Sequence, residues 1–194
     1  MQILERIQKK QTIRVMGIDD SPFSKKQGQP VLVSGIVCSN TKFEGMVRTY
    51  IQKDGMDATE KLIEMITNSK FHRQLHAVLL DGVTMGGFNV VNTSFLAEQI
   101  QKPCISIMRK RANDEDIYRA LQSFSDREER MRIIRSAGTI HKHDNIYFQC
   151  HQCAIEDAKA LITYVTETGY IPEPLRIAHL VNSAFVLGQS NKRP

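Results

Sequence analysis

Two apolar, β-branched runs, "QPVLVSGIVCS" and "KFEGMVRTYIQ", follow one another with only the polar turn at Ser39 to Lys42 between them, and a third, "TIRVMGID", precedes them. So short a turn makes the first two an antiparallel pair, and the start of the chain reads as a three-strand meander. After it the pattern changes. "DATEKLIEMITNS" carries Leu62, Ile63, Met65 and Ile66 at helical spacing with acidic residues early, which predicts a helix beginning near Asp57. "HAVLLDG" reads as an apolar strand ending in Asp81, "NTSFLAEQI" as a short helix, and "PCISIM" as a buried strand running into Arg109. The charged span from Asn113 to Arg135 predicts two helices, followed by a hairpin in "AGTIHKHDNIYFQC" and helices over Ile155 to Glu167 and Pro174 to Leu187. A meander followed by helix, strand, helix, strand describes an α/β fold: a mixed sheet with helices packed on it.

With 194 residues, 41% of them hydrophobic, and neither repeat nor linker, the expectation is one domain over residues 1–194. No segment approaches the roughly 20 apolar residues of a membrane span, and "MQILERIQKKQ" lacks the features of a signal peptide, so a soluble, cytoplasmic protein is expected. Four cysteines are too few for a disulfide scaffold, and three sit in or beside strand-like runs where a free thiol packs well. "CHQC" at Cys150 to Cys153 resembles half a zinc site, but no partner pair stands at motif spacing, and packing is the simpler reading. "HKH" at 141 to 143 reads as an exposed turn. The net charge of +5 favours polyanionic partners only weakly. Basic residues cluster at Lys9, Lys10 and Arg14, at Lys25 and Lys26, at Arg109 to Arg111, and at Arg127, Arg130, Arg132 and Arg135. The last group alternates with Glu128 and Glu129 at helical spacing, which taken alone describes a solvated helix face.

"VMGIDDSPF" sets two carboxylates where a buried strand ends. Asp, Ser and Pro there can simply turn the chain. A second reading comes from the sheet: if the strand after the first helix pairs parallel to the first strand, Asp19 and Asp81 end neighbouring strands about 4.8 Å apart. Such strand ends are where open α/β sheets bind ligands, and a divalent cation could bridge the pair. Metal-assisted phosphodiester hydrolysis needs several carboxylates converging from different elements, and the candidates are Asp19, Asp20, Asp54, Asp57 and Asp81. Asp57 has a competing role at a helix start and Asp20 in the turn. "LLDGVTMGGFNVV" offers a rival, a glycine-rich phosphate cradle, but matches neither G-x-G-x-x-G nor G-x-x-x-x-G-K-[ST].

"GIDDSPF", "DGMDAT", "LLDGVTMGGFNVVN", "PCISIMRKR" and "GYIPEPLRIAHLV" occur in this order over nearly the whole chain, and as a set they resemble the archaeal endonuclease dU family, a relative of endonuclease V. The resemblance implies a ribonuclease H-like fold and Mg²⁺- or Mn²⁺-dependent cleavage of DNA carrying deaminated bases. It further implies metal-binding roles for Asp19, Asp57 and Asp81, with Asp20 a turn residue or a partner of the ligands. It places Arg109 where endonuclease V has a lysine and matches His179 to that family's late histidine. Tyr50, Arg109, Lys110, Arg111, Arg127 and Arg130 are the expected DNA contacts, and the DNA is lesion-containing or single-stranded. Departures are Ser21 where the family usually has Gly, Asn92 where it usually has Asp, and a "GQSNKRP" ending in place of Gly-Glu-Ser. The proline-flanked wedge of endonuclease V is reduced to "TYIQ". Two rivals remain at this point: a non-catalytic nucleic-acid-binding module of the same fold, and a nucleotide-binding protein using the Gly82 to Gly87 loop.

Overall fold

A computed structural model describes residues 3–25, 28–111 and 113–190. Lys26 of the second basic cluster and the last four residues of "GQSNKRP" lie outside the described residues. After helix α1 (Ile3–Gln8) come the meander strands β1 (Arg14–Asp20), β2 (Pro30–Ser39) and β3 (Lys42–Gln52). Then follow α2 (Ala58–Thr67), β4 (Ala77–Asp81), a small ribbon of β5 (Thr84–Met85) and β6 (Asn89–Val90), α3 (Thr93–Ile100) and β7 (Cys104–Met108). The chain continues through α4 (Asp114–Ala120), α5 (Arg127–Ser136), the hairpin β8 (His141–His143) and β9 (Ile146–His151), α6 (Ile155–Tyr164) and α7 (Glu173–Leu187).

Among the described residues, seven strands form one sheet in the order β3-β2-β1-β4-β7-β9-β8. The meander is antiparallel, β1, β4 and β7 run parallel, and β9 and β8 return antiparallel. This is the mixed, ribonuclease H-like arrangement expected. "HKH" is a correction: it pairs with β9 as strand β8, and the turn comes at Asp144, whose φ is 50°. The glycine-rich loop is likewise more ordered than a bare connection, because Gly86 and Gly87 take positive φ and close the β5–β6 ribbon.

Side chains on a strand alternate between faces, and both faces of this sheet are covered. Met16, Ile18, Val78 and Leu80 pack with Leu62, Ile66, Leu96 and Ile100 of α2 and α3. Val15, Leu79, Ile105 and Phe148 pack with Leu161, Ile162, Leu175 and Ala178 of α6 and α7. Among the described residues, no helix is long and apolar enough to cross a membrane. All four cysteines are free; Cys38 and Cys104 are buried, and Cys150 Sγ lies 3.6 Å from the Cys153 carbonyl. Burial pushes the Cys153 thiol up to about 12, which keeps it protonated.

One contact on the α7 face sets up everything beyond it. A Cβ on Gly17 would lie 2.5 Å from the carbonyl carbon of Pro174 and 2.6 Å from the nitrogen of Leu175, so only glycine lets the start of α7 lie directly on β1. Two residues along β1 advance about 6.6 Å, and four along α7 about 6 Å. The same step that leads from Gly17 to Asp19 therefore leads from Leu175 to His179.

Candidate active site

Asp19 ends β1 on the α7 face and is 4% exposed. In the parallel register Ile18 stands opposite Leu80, and the next step places Asp19 beside Asp81. Three contacts hold Asp19. Its Oδ1 accepts the Asp20 amide at 2.8 Å, its Oδ2 lies 3.2 Å from His179 Nδ1, and its carbonyl accepts Asn182 Nδ2 at 2.7 Å. Asn182, fully buried, in turn accepts the Ser34 hydroxyl at 2.6 Å, which ties α7 to β2 as well as β1. His179 and Asn182 are three residues apart and so share a helix face. The other ring nitrogen of His179, Nε2, is buried with no hydrogen-bond partner.

Asp81 is half-buried, and Arg109 Nη2 stands 3.9 Å from its Oδ2. Asp81 pairs with Ile107 in the β4–β7 register, and Arg109 lies two residues on, which brings it to the same face at the open end. The charges are poorly balanced. Burial first and the neighbouring Asp19 second push Asp81 up to about 6, against the pull of Arg109 and His179. Burial and Asp19 push Asp20 up to about 7, with Asp81 adding to this and the Gly86 amide, 2.9 Å from Asp20 Oδ2, opposing it. The hydrogen bond to Asp19 raises His179, favouring its charged form. Three acids thus crowd one corner that resists carrying three negative charges.

Asp57 is not brought to this corner by any contact it makes. It precedes α2 without capping it; its carboxylate accepts the Gln52 amide at 3.1 and 3.3 Å and Asn89 Nδ2 at 2.6 Å. Asn89 Oδ1 takes the Ala58 amide at 2.9 Å and so performs the capping from a distance. The acid that shares the field of Asp19 and Asp81 is Asp20.

Arg130 is a second correction. It is 3% exposed, and its guanidinium donates to Asp126 at 2.8 and 2.9 Å, to the Asp54 and Gly55 carbonyls at 2.9 Å each, and to the Phe88 carbonyl, while stacking on Phe124 at 4.5 Å. With its donors spent inside the protein it has none to offer DNA. Arg127, by contrast, is exposed beside Glu128, and Lys110 and Arg111 are exposed just past Arg109. Tyr50 is 49% exposed; Arg48 Nη1 donates to its hydroxyl at 2.8 Å, whereas its neighbour Ile51 is buried. Asn92 caps α3 by accepting the Phe95 amide at 3.0 Å, a task that Asp does equally well.

The glycine-rich loop already holds anions of its own. Gly86 donates to Asp20, Phe88 donates to Asp54 Oδ1 at 3.0 Å, and a Cβ on Gly87 would collide with that same oxygen. The loop's amides serve two internal carboxylates, which argues against a phosphate cradle there.

A family model described as Endonuclease dU matches residues 11–186. The chain belongs to the Endonuclease dU family. A UPF0215 protein of Methanothermobacter thermautotrophicus is 40% identical over 93% of this chain and 91% of its own length. A solved structure of a protein of unknown function from Archaeoglobus fulgidus is 36% identical, with a TM-score of 0.85, covering 90% of this chain and 98% of that one. The fold is also that of endonuclease V. The Ciona intestinalis enzyme, solved with a 24mer DNA containing an inosine followed by a ribo-adenosine, superimposes with a TM-score of 0.56 at 17% identity, over 87% of this chain and 84% of that one.

Proposed function

We propose that this protein is a divalent-metal-dependent endonuclease that hydrolyses phosphodiester bonds in DNA containing deaminated bases. Family membership and the endonuclease V-like fold support a nuclease, and the inosine-containing DNA bound by the Ciona enzyme supports the choice of lesion. The observation that carries the reading is the pair Asp19 and Asp81, side by side at the ends of parallel strands, where burial and the charge of Asp19 make Asp81 costly to ionise.

Among the described residues, no group of three or more His, Cys, Asp or Glu side chains is arranged to hold a metal ion. The donor chemistry nevertheless suits a hard cation, since Mg²⁺ is commonly held by one or two carboxylates with water and substrate phosphate completing its shell. Asp19 and Asp81 would hold it. When bound, it polarises the phosphate and lowers the pKa of water. The remaining tasks belong to the chain. Asn182 and the Asp20 amide fix the Asp19 backbone and carboxylate. His179, aligned by Asp19 and favoured in its charged form, holds a proton beside the two carboxylates and offsets their charge. Arg109 offsets charge on the scissile phosphate. Beyond Asp20, a groove lined by Pro22, Phe23, Arg48, Tyr50 and Phe185 offers rings for bases to stack on.

The test is incubation of labelled oligonucleotides containing uracil, hypoxanthine or no lesion with Mg²⁺, Mn²⁺ or chelator. Cleavage next to the lesion that needs both the metal and Asp81 is expected. Binding of equal strength in chelator with no cleavage in either metal would leave a binding module instead.

A further inference from the structure

The opposite end of the sheet carries a cleft with the reverse electrostatics. It has a volume of about 550 Å³ and lies between α1, the residues leading into β4 and β7, and the start of α6, where Arg6, His76, Lys102, Pro103, Ala154 and Asp157 line it. His76 is fixed from both sides by Arg14: its backbone amide donates to the Arg14 carbonyl at 2.8 Å, and its Nδ1 accepts the Arg14 amide at 3.0 Å. An Nδ1 that accepts leaves the ring proton on Nε2 as a donor. Burial first, then the charge of Arg6 and that of Lys102, lower the His76 pKa and keep the ring neutral. Arg6 and Lys102 make no ion pair among the described residues, although both are partly buried. Arg14, by contrast, is matched by Glu44 at 2.7 Å. The cleft also carries one carboxylate, Asp157, which accepts the Leu4 amide at 2.7 Å and thereby holds α1 on α6, so the two cations face a single anion there. No side chain caps the first amides of α6 at Ala154.

The geometry points to a second binding site here, for a phosphomonoester of mononucleotide size, with Arg6 and Lys102 on the phosphate and the Leu75–Pro103 wall against the rest. Two unpaired cations with a fixed imidazole donor form an oxyanion seat, in which charge-assisted hydrogen bonds are the strong ones. The volume falls in the range of roughly 300–1,000 Å³ typical of small-molecule sites and exceeds what a bare phosphate fills. Five residue steps of β1 from Arg14, about 16 Å of strand, separate this end from Asp19, so a ligand here touches neither acid of the proposed active site.

Isothermal titration calorimetry in chelator decides the matter, with deoxyadenosine 5′-monophosphate, inorganic phosphate and deoxyadenosine as probes. The variants are Arg6→Gln/Lys102→Gln and, as a control for the far end, Asp81→Asn, with circular dichroism verifying the fold of each. The monophosphate should bind wild type and Asp81→Asn alike, inorganic phosphate more weakly, deoxyadenosine not at all, and the double variant should lose at least about tenfold. Undiminished affinity in the double variant, loss of affinity in Asp81→Asn, or no binding at millimolar monophosphate would overturn the site. Inorganic phosphate binding as tightly as the nucleotide would overturn the nucleotide-sized ligand. None of these outcomes depends on whether the protein cuts DNA.

Discussion

Two clusters of charge share the loop from Gly86 to Phe88, whose amides donate to Asp20 in one and to Asp54 in the other, and they differ in one respect. Around Arg130, one guanidinium meets Asp126 and the carbonyls of Asp54, Gly55 and Phe88, and Asp54 takes its own partners from Lys53 and Phe88. Donors and acceptors match, and the carboxylates of Asp54 and Asp126 are held below their ordinary range, Asp126 chiefly by Arg130 itself. Around Asp19, three acids face one histidine and one distant arginine, and Asp20 and Asp81 are pushed up. A satisfied cluster stabilises a fold. An unsatisfied one, kept despite its cost, marks where an outside group is to bind.

The sharpest way to break this contrast is Asp81→Asn, which keeps shape and removes charge. Cleavage should fall by at least about 10²–10³-fold, the scale of losing one electrostatic contact to a transition state. The Mn²⁺-induced rise in melting temperature should shrink with it; wild-type cleavage and wild-type metal response together would remove Asp81 from the site. Arg130→Met should do the opposite, losing at least about 1–3 kcal/mol of stability in urea unfolding because it strands the Asp54, Gly55 and Phe88 carbonyls and leaves half-exposed Asp126 without its partner. Below its melting temperature the folded protein should bind DNA as wild type does. A loss of DNA affinity without loss of stability would return Arg130 to the surface contacts. A smaller effect is expected at Lys110 and Arg111: replacing either by Gln should lower the slope of log affinity against log salt by about one, measured in Ca²⁺.

The same contrast shows what the sequence could reveal. Strand ends at Asp19 and Asp81, and their pairing through a helical crossover, follow from local pattern: apolar runs, a meander with a short turn, a helix between strands. The partners that Asp57 and Arg130 take in the fold are less legible. An acid before a helix is ordinarily its cap, and in "DGMDAT" nothing local shows that Asn89, from a ribbon far along the chain, has taken that task. For Arg130 a signal was present: it stands three and four residues before Ile133 and Ile134 on the apolar face of α5, with Asp126 one turn earlier. Charge count hid what spacing showed. Asn182 and Ser34 were illegible, because their hydrogen bond joins residues at the two ends of the chain.

The smallest effect expected is the most direct measure of an unsatisfied cluster. Asp20 is raised to about 7 by burial, by Asp19 and by Asp81, against the Gly86 amide. A carboxylate that binds its proton more tightly folded than unfolded contributes stability fully present below the unfolded pKa, near 4, and lost as pH rises through the folded value, near 7. Without metal, the melting temperature of the wild type should therefore decline between about pH 4 and 7. Asp20→Asn can still accept from Gly86 but carries no charge, so its decline should be shallower. At pH 7.5 it should melt about 2–4 °C higher than wild type, the scale of 1 kcal/mol in a chain of this length. Mn²⁺ should flatten the wild-type curve by the same logic, by supplying the missing positive charge. The equivalent measurement on Asp126→Asn must go the other way, since an acid whose pKa is lowered by Arg130 stabilises at high pH and its removal costs stability there. If Asp20→Asn and Asp126→Asn shift the curve in the same direction, the two clusters do not differ in the way their geometry indicates.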